Sequence, residues 1–326
     1  MNSWGQIFRV NIWGESHGQQ VGISIDGVPS GIALCEEDFS KDLERRRAGA
    51  LGTTPRKESD MPHIVSGVYN GFTTGTPLTI EFLNENTQSG DYKNLITHPR
   101  PSHADLVAQQ KWNGYNDPRG GGHFSGRITL GIVAAGVVAK KILGQEAKFA
   151  TEIVEIGGEQ DKAKFAEILE SARAAQDSVG GIIECRINGI GAGLGEPFFD
   201  SAESLIAHLL FSIPAVKGVE FGKGFAAARM KGSEHNDVII NERGTTATNS
   251  AGGIVGGITN GNEIVVRAAI KPTASIAREQ NTYNFESGKV EPLIIKGRHD
   301  VCIALRAAVV VESAIAIALA DLKLRA

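Results

Sequence analysis

Short apolar runs bounded by turn residues punctuate the chain and place most of its strands. Residues 8–12, 21–25, 63–69, 77–82, 181–188, 216–225, 263–270 and 293–296 read as strands. Apolar spacing of three and four residues instead predicts helices over 36–47, with Phe39 and Leu43 on one face, over 162–175, with Phe165, Ile168 and Leu169 inward, and over 201–211. Two more helices, 128–143 and 302–322, consist largely of small and apolar residues. A further helix is predicted over 102–112. There Ser102, with Asp105 three residues on, makes a capping-box-like start and puts His103 in the first turn. Residues 84–101 are too polar for a core, and a loop of that length in a compact domain usually carries function or an interface. Strands, glycine turns and helices follow one another without regular βαβ alternation, so the expected class is α+β rather than a doubly wound sheet. Neither a fixed-period repeat nor a linker divides the chain, which reads as one domain over residues 1–326.

Two stretches carry candidate chemistry. Gly14-Glu15-Ser16-His17-Gly18 fits the Gly-x-Ser-x-Gly elbow of serine hydrolases, with Ser16 as nucleophile. It also fits a loop that brings Ser16 and His17 close to a bound substrate, with His17 as an acid. The elbow needs a helix directly after it and a downstream acid and histidine. The run after Gly18 is strand-like, which favours the second reading. The other stretch, Arg119-Gly120-Gly121-Gly122-His123-Phe124-Ser125-Gly126-Arg127, feeds the helix beginning near Ile128. A glycine-rich loop at a helix N-terminus gathers free N–H groups and the positive end of the dipole, so it suits an anion. It is neither a P-loop nor a GxGxxG motif. Arg45-Arg46-Arg47 closes a helix, where the dipole favours cations. Three consecutive side chains cannot share one face, so at least one points away from its own helix.

Composition narrows the classes. A net charge of −4 argues against a general nucleic-acid footprint, and no uninterrupted apolar run is long enough to span a membrane. The N-terminus lacks the basic and apolar regions of a signal peptide, and Cys35, Cys185 and Cys302 show no metal-binding spacing. A reduced, cytoplasmic protein without a metal is expected. Glycine is in excess, with 40 among 326 residues. It clusters at 120–122, 180–181, 189–195, 218–224 and 252–261, where the backbone either turns tightly or approaches a ligand.

Three separated stretches point to one family. The first is Gly14 to Gly18 followed by Asp26-Gly27-Val28-Pro29. The second is Gly120 through Thr129 with Ser125-Gly126-Arg127, and the third is Arg298-His299-Asp300 running on to Glu312. Together they resemble the three signatures of chorismate synthases. Arg45-Arg46-Arg47, Pro99-Arg100-Pro101-Ser102-His103-Ala104-Asp105, Lys217-Gly218-Val219-Glu220-Phe221-Gly222 and Thr259-Asn260-Gly261 fall between them in the family's order. The resemblance therefore covers nearly the whole chain. It implies a β-α-β sandwich, usually a homotetramer. The implied reaction is an anti 1,4-elimination of phosphate from 5-enolpyruvylshikimate 3-phosphate to chorismate, the last common step toward the aromatic amino acids. Reduced FMN is required, with no net redox change, and NADP is among the cofactors associated with the family. No added reductase domain is seen, so an external flavin reductase is the expected electron source.

The substrate's phosphate and two carboxylates suit planar, permanently charged arginines. The resemblance assigns these anions to Arg47 and Arg127, with Arg298 assisting and Arg56 a further candidate, and makes Ser16 a substrate or phosphate contact. His17 is implied as the acid that protonates the departing phosphate. His103 is implied to protonate or stabilise the reduced flavin, and Asp300 to work with flavin N5 in removing the C6 proton. Histidine exchanges protons near neutral pH, as both histidine roles require. Ser125, Gly126, Arg127, Asn249, Gly256, Lys271 and Ser275 are implied as FMN contacts. Asp300 also stands where it can cap the final helix.

The chain departs from the family pattern at two points. Thr53-Thr54 stand where many members carry a further arginine, with Arg56 as a substitute. His123 stands where the central motif often has arginine, either touching phosphate or only packing. Two rival functions are weighed from the residues. One is a serine hydrolase using Ser16. The other is a phosphometabolite- or flavin-binding protein without turnover, against which the retention of His17, His103 and Asp300 argues.

Overall fold

The computed structural model describes residues 1–49, 51–54, 59–85, 94–295 and 299–326. The first half of the chain forms β1 (Ser3–Trp4), β2 (Arg9–Gly14), β3 (Gln20–Asp26), α1 (Ser40–Arg46), β4 (His63–Ser66), β5 (Val68–Tyr69), β6 (Phe72–Thr73), β7 (Leu78–Leu83), α2 (Asp105–Lys111) and α3 (Thr129–Leu143). The second half forms β8 (Lys148–Ile156), α4 (Phe165–Ala174), β9 (Gly181–Asn188), α5 (Ala202–Ser212), β10 (Val216–Phe221), α6 (Gly232–His235), β11 (Ile254–Val255), β12 (Ile258–Thr259), β13 (Ile264–Ile270), β14 (Gln280–Asn284), β15 (Lys289–Leu293) and α7 (Ala304–Arg325).

Two antiparallel sheets, ordered β1-β2-β3-β7-β4 and β10-β13-β9-β8, enclose a layer of helices. Period-two alternation gives each sheet one apolar face. In the first, Val21, Ile23 and Ile25 stand opposite Phe82, Ile80 and Leu78, all fully buried. In the second, Ile264, Val266 and Ala268 stand opposite Ile187, Cys185 and Ile183, again fully buried. Helix α3 lies on the first sheet, α7 lies on β8 and β9, and the two helices pack on each other. Every α3 residue from Thr129 to Ala139 is buried, as a helix apolar on all sides must be. Their approach depends on Gly136, where a Cβ would stand 2.3 Å from the Ser313 Cβ. One apolar cluster runs from Phe8 to Leu322 through both sheets. The expected α+β, β-α-β sandwich is therefore the fold.

Several expected elements are shifted. Residues 36–47 form a 3-10 turn over Glu36–Phe39 and then α1, and Arg47 leaves the helix with ψ 150°. The strand expected over 216–225 stops at Phe221, because Gly222 turns with φ +54° against the backbone of Ser250 and Gly252. The last strand is β15 rather than 293–296, and Lys296 lies outside the described residues. Within the long loop expected over 84–101, residues 86–93 also lie outside them. Leu95, beyond that gap, packs with Leu293 and Ile295 in a small satellite cluster.

Candidate active site

A cavity of about 770 Å³ is walled by the end of α1, the loop before α2, the glycine-rich loop before α3, the α5–β10 turn, the exit of β13 and the start of α7. That volume lies within the ~300–1,000 Å³ usual for small-molecule sites.

Ser16 and His17 sit in the hairpin loop between β2 and β3. The chain after Gly18 re-enters a strand, so the strand-to-helix geometry of a hydrolase elbow is missing. Ser16 is buried on the cavity wall, and its N–H donates to the Gly122 carbonyl at 3.1 Å. His123 Nδ1 lies 2.8 Å from the Gly14 carbonyl. A carbonyl only accepts, so Nδ1 carries the proton. These two bonds stitch the serine–histidine loop to the glycine-rich loop. His123 is thus an anchor and does not line the cavity. The His17 ring is buried against Gly120, which does line it. A Cβ at Gly120 would stand 2.5 Å from His17 Cδ2 and 2.9 Å from Ser16 Oγ, and its φ of +61° already favours glycine.

The three consecutive arginines go three ways. Arg45 forms a two-pronged pair with Glu312 of α7 at 2.8 and 2.7 Å. Arg46 turns inward, donating from Nε to Thr129 Oγ1 at 3.0 Å and from Nη2 to the Gly126 carbonyl at 2.6 Å. Burial, and then repulsion from Arg306, lower its pKa to about 10. Arg47 donates to the Ser59 carbonyl at 2.5 Å, while its buried Nε, on a residue of the cavity wall, has no hydrogen-bond partner. Asp60, buried and in the left-handed region at φ +46°, binds Arg127 Nη1 at 2.9 Å and faces Arg46 at 3.5 Å. Arg127 also donates to the Leu83 carbonyl at 2.9 Å and to Asn84 Oδ1.

On the opposite wall, no capping box forms at Ser102. It adopts φ +56°, α2 is capped at Ala104, and His103 precedes the helix. The Asp105 carboxylate instead holds Arg100, through bonds of 2.7 Å from Nε and Nη2, and His103 Nδ1 at 2.6 Å. Arg100 Nη1 reaches on to Ser275 Oγ at 2.9 Å. Lys271 donates to the Ser102 carbonyl at 2.9 Å. Burial, and then repulsion from Lys217, hold the Lys271 ammonium below the usual lysine pKa. Asp300 is not a helix cap, since α7 is capped at Ile303. Its carboxylate accepts from the Thr54 N–H at 2.8 Å and from Arg306 at 3.1 Å. His299 lines the same wall with a buried Nε2 that has no hydrogen-bond partner. Burial, reinforced by Arg100, lowers its pKa and favours the neutral ring.

The profile of the family described as chorismate synthase matches residues 8–324. The chain belongs to the chorismate synthase family. It is 61% identical over 324 residues to the chorismate synthase of Chitinophaga pinensis, covering 99% of this chain and 97% of that one. It is 45% identical over 349 residues to that of Korarchaeum cryptofilum, covering 98% and 96%. A crystal structure of chorismate synthase superimposes with a TM-score of 0.74 at 27% identity, covering 99% of this chain and 93% of that one. As a member of the chorismate synthase family the chain is a lyase of aromatic biosynthesis.

Chorismate synthase chemistry was expected of residues scattered from position 16 to position 300. The cavity gathers Ser16, Arg47, His103, Ser125, Gly126, Arg127, Lys271, Ser275 and Asp300, with His17 directly behind Gly120. Asn249 and Gly256, expected at the cofactor, do not line it. Asn249 ties a turn together by donating to the Glu263 carbonyl and accepting from the Gly253 N–H. Gly256 makes the β11–β12 turn with φ +63°. Arg56 and Arg298 lie outside the described residues. Arg46, Asp60, Arg100, His299 and Arg306 line the cavity and Asp105 stands behind His103, though none of them was given a site role from the sequence. Arg100 and Asp105 had a visible signal, since they flank His103 within one short block, whereas Asp60 and Arg306 had none. Among the described residues no group of His, Cys, Asp or Glu could hold a metal ion, and no helix is long and apolar enough to cross a membrane.

Proposed function

We propose that the chain converts 5-enolpyruvylshikimate 3-phosphate to chorismate and phosphate by anti 1,4-elimination, with reduced FMN bound in the same cavity and no net redox change. The observation that carries this is the convergence of Ser16, His103, Asp300 and a shell of cations on one cavity, with His17 at its wall, in a chain of this family. The polar atoms of the wall fit a polar, anionic ligand. Arg47 Nε and His299 Nε2 are buried without partners, and each such group costs roughly 1–3 kcal/mol unless a ligand satisfies it. Arg47, Arg127, Lys217, Lys271 and Arg306 place several positive charges around the space.

Reduced FMN, when bound, supplies an electron-rich ring that assists loss of the phosphate and is regenerated. Ser125, Gly126, Lys271 and Ser275 would hold it, with His103 directing a proton toward it. Arg47 and Arg127 hold the substrate's anions, with Arg56 and Arg298 as further candidates. His17 gives its proton to the leaving phosphate, and Asp300 assists removal of the C6 proton. The working unit is a single domain over residues 1–326, assembled as a homotetramer in the cytoplasm. Exposed Phe198, Phe199, Phe225, Val238, Ile239 and Ile240 support such association. An external flavin reductase drawing on NADPH keeps the flavin reduced.

An anaerobic assay with dithionite-reduced FMN tests the reading. Phosphate and chorismate should appear together, one for one, with reduced flavin and not with oxidised flavin. Tight flavin binding with no phosphate released would leave only a flavin-binding protein, and reaction of Ser16 with a fluorophosphonate would revive the hydrolase.

A further inference from the structure

His103 receives two neighbours at one nitrogen. Its Nδ1 lies 2.6 Å from Asp105 Oδ1 and 3.0 Å from Arg100 Nη2. A guanidinium has no lone pair to offer and Asp105 is ionised, so only a bond from Nδ1–H to Oδ1 is consistent. Arg100 comes close because its Nη2 shares that oxygen at 2.7 Å. The carboxylate is fully engaged, since Oδ2 takes the Arg100 N–H at 3.1 Å and Nε at 2.7 Å. Burial alone would raise the Asp105 pKa, but Arg100 and His103 outweigh it and keep it well below the usual carboxylate range. The Cε1–Nε2 edge of His103 is turned toward the glycine-rich loop at Gly121, where even an added Cβ would stay 3.6 Å from Nε2, and the residue lines both the large cavity and a small pocket beside it that Gly121 shares.

We infer that Asp105 is a positioning residue that locks His103 in the Nδ1–H form, so that Nε2, on the ring edge turned to the glycine-rich loop, is the nitrogen left to give up and regain the proton. The charged and titratable groups around His103 are Asp105 on α2, Arg100 on the preceding loop, Lys271 at the exit of β13, and His299, held toward the neutral form, before α7. Only Asp105 among them can accept from Nδ1–H. After Nε2 releases its proton, the neutral ring keeps Nδ1–H on Asp105, so the pair needs no reorganisation between turnovers. The same logic governs the histidine–aspartate pair of serine proteases, where an amide in place of the acid stabilises the wrong tautomer.

Asp105→Asn should invert the ring. An amide oxygen at the Oδ2 position satisfies two Arg100 donors, so the NH2 group falls at Oδ1 and faces Nδ1. That nitrogen must then accept, and the proton moves to Nε2. The inference rests on the proposed reading of the cavity, but its first test does not need turnover. In ligand-free native protein labelled with ¹⁵N-histidine, long-range ¹H–¹⁵N spectra of the neutral ring should show His103 protonated at Nδ1, assigned by its loss in His103→Asn. An Nε2–H form in the native protein overturns the inference without any acid variant, and so does an unchanged tautomer in Asp105→Asn. The second test uses the assay above. Asp105→Asn should lower kcat about 10²-fold or more with substrate KM within about threefold. Adding it to His103→Ala should cost nothing further. A further tenfold loss in the double variant would mean that Asp105 acts through Arg100 and the fold instead.

Discussion

At Gly120 a single hydrogen in place of a side chain decides whether the His17 ring can stand at the wall. Its position is bounded by the His17 ring on one side and Ser16 on the other. Gly121 and Gly122 follow at φ +82° and +55°, and a Cβ on Gly122 would stand 2.1 Å from the Asp117 carbonyl. The loop therefore has no slack with which to relieve a clash at Gly120. Gly120→Ala must push the His17 ring away or break the bonds that join the two loops. A displacement of ~1 Å at a reacting group costs about 10²-fold in rate. We expect Gly120→Ala to approach the ~10²–10⁴-fold loss in kcat expected for His17→Ala. Both should leave flavin affinity within about threefold, because neither residue is a proposed FMN contact. Rates from the phosphate assay and flavin titrations decide it. Turnover within about threefold of native for Gly120→Ala would mean that His17 does not rest there during catalysis.

The helices meet at a cluster of four charges that fixes where the site's arginines begin. Asp42 and Arg45 of α1, Lys140 of α3 and Glu312 of α7 contact one another, with Glu312 buried at the centre. Burial raises the Glu312 pKa, but the Arg45 hydrogen bonds and Lys140 overcome it and bring it to about 2. A depressed folded-state pKa contributes stability above the unfolded value of ~4.3 and loses it as pH falls through the folded value. The shift corresponds to roughly 3 kcal/mol, present at neutral pH and fading below about pH 4. Glu312→Gln should be less stable by ~2–3 kcal/mol at pH 7, since it leaves half-buried Lys140 and the more exposed Arg45 with Asp42 alone as their anion. The gap should shrink as the pH is lowered toward ~3, because the native acid is then becoming neutral too. Urea unfolding of both proteins across that range measures it, and a constant gap would mean that the carboxylate is not the ionised partner. The position of Glu312 at the end of a signature was readable in the sequence, but its two cationic partners were not, since they come from two other helices. Strands show the same limit. Regular alternation in residues 21–25 and 181–188 marked β3 and β9. Strand β8 was missed because a register shift between Ile153 and Glu155 breaks the period. Strand β14 was missed because Gln-Asn-Thr-Tyr-Asn has no apolar side to show.

Across the whole molecule, charge is arranged against its own total. The chain carries a net −4, yet Arg47, Arg127, Lys217, Lys271 and Arg306 line one cavity against the acids Asp60 and Asp300. Residues in local motifs were legible because each motif holds its chemistry within a few positions. The field was not legible, because it depends on segments from near 47, 127, 217, 271 and 306 arriving at the same place. Such a field raises the encounter rate of an anionic substrate by ~10–10³-fold at low salt, and screening removes much of it beyond a Debye length of ~10 Å at 0.1 M. Lys217 isolates this contribution, since its side chain is exposed at the rim and makes no hydrogen bond among the described residues. Lys217→Gln should lower kcat/KM by about 3–10-fold at low ionic strength and leave kcat within about twofold. In ~0.5 M NaCl the difference should largely vanish, because an exposed charge acting over distance is screened there. It should also relieve Lys271, whose ammonium is held below its usual pKa by burial first and by Lys217 second. A loss in kcat/KM that persists undiminished at high salt would show Lys217 gripping the substrate directly, as a short, desolvated contact is screened far less than a rim charge.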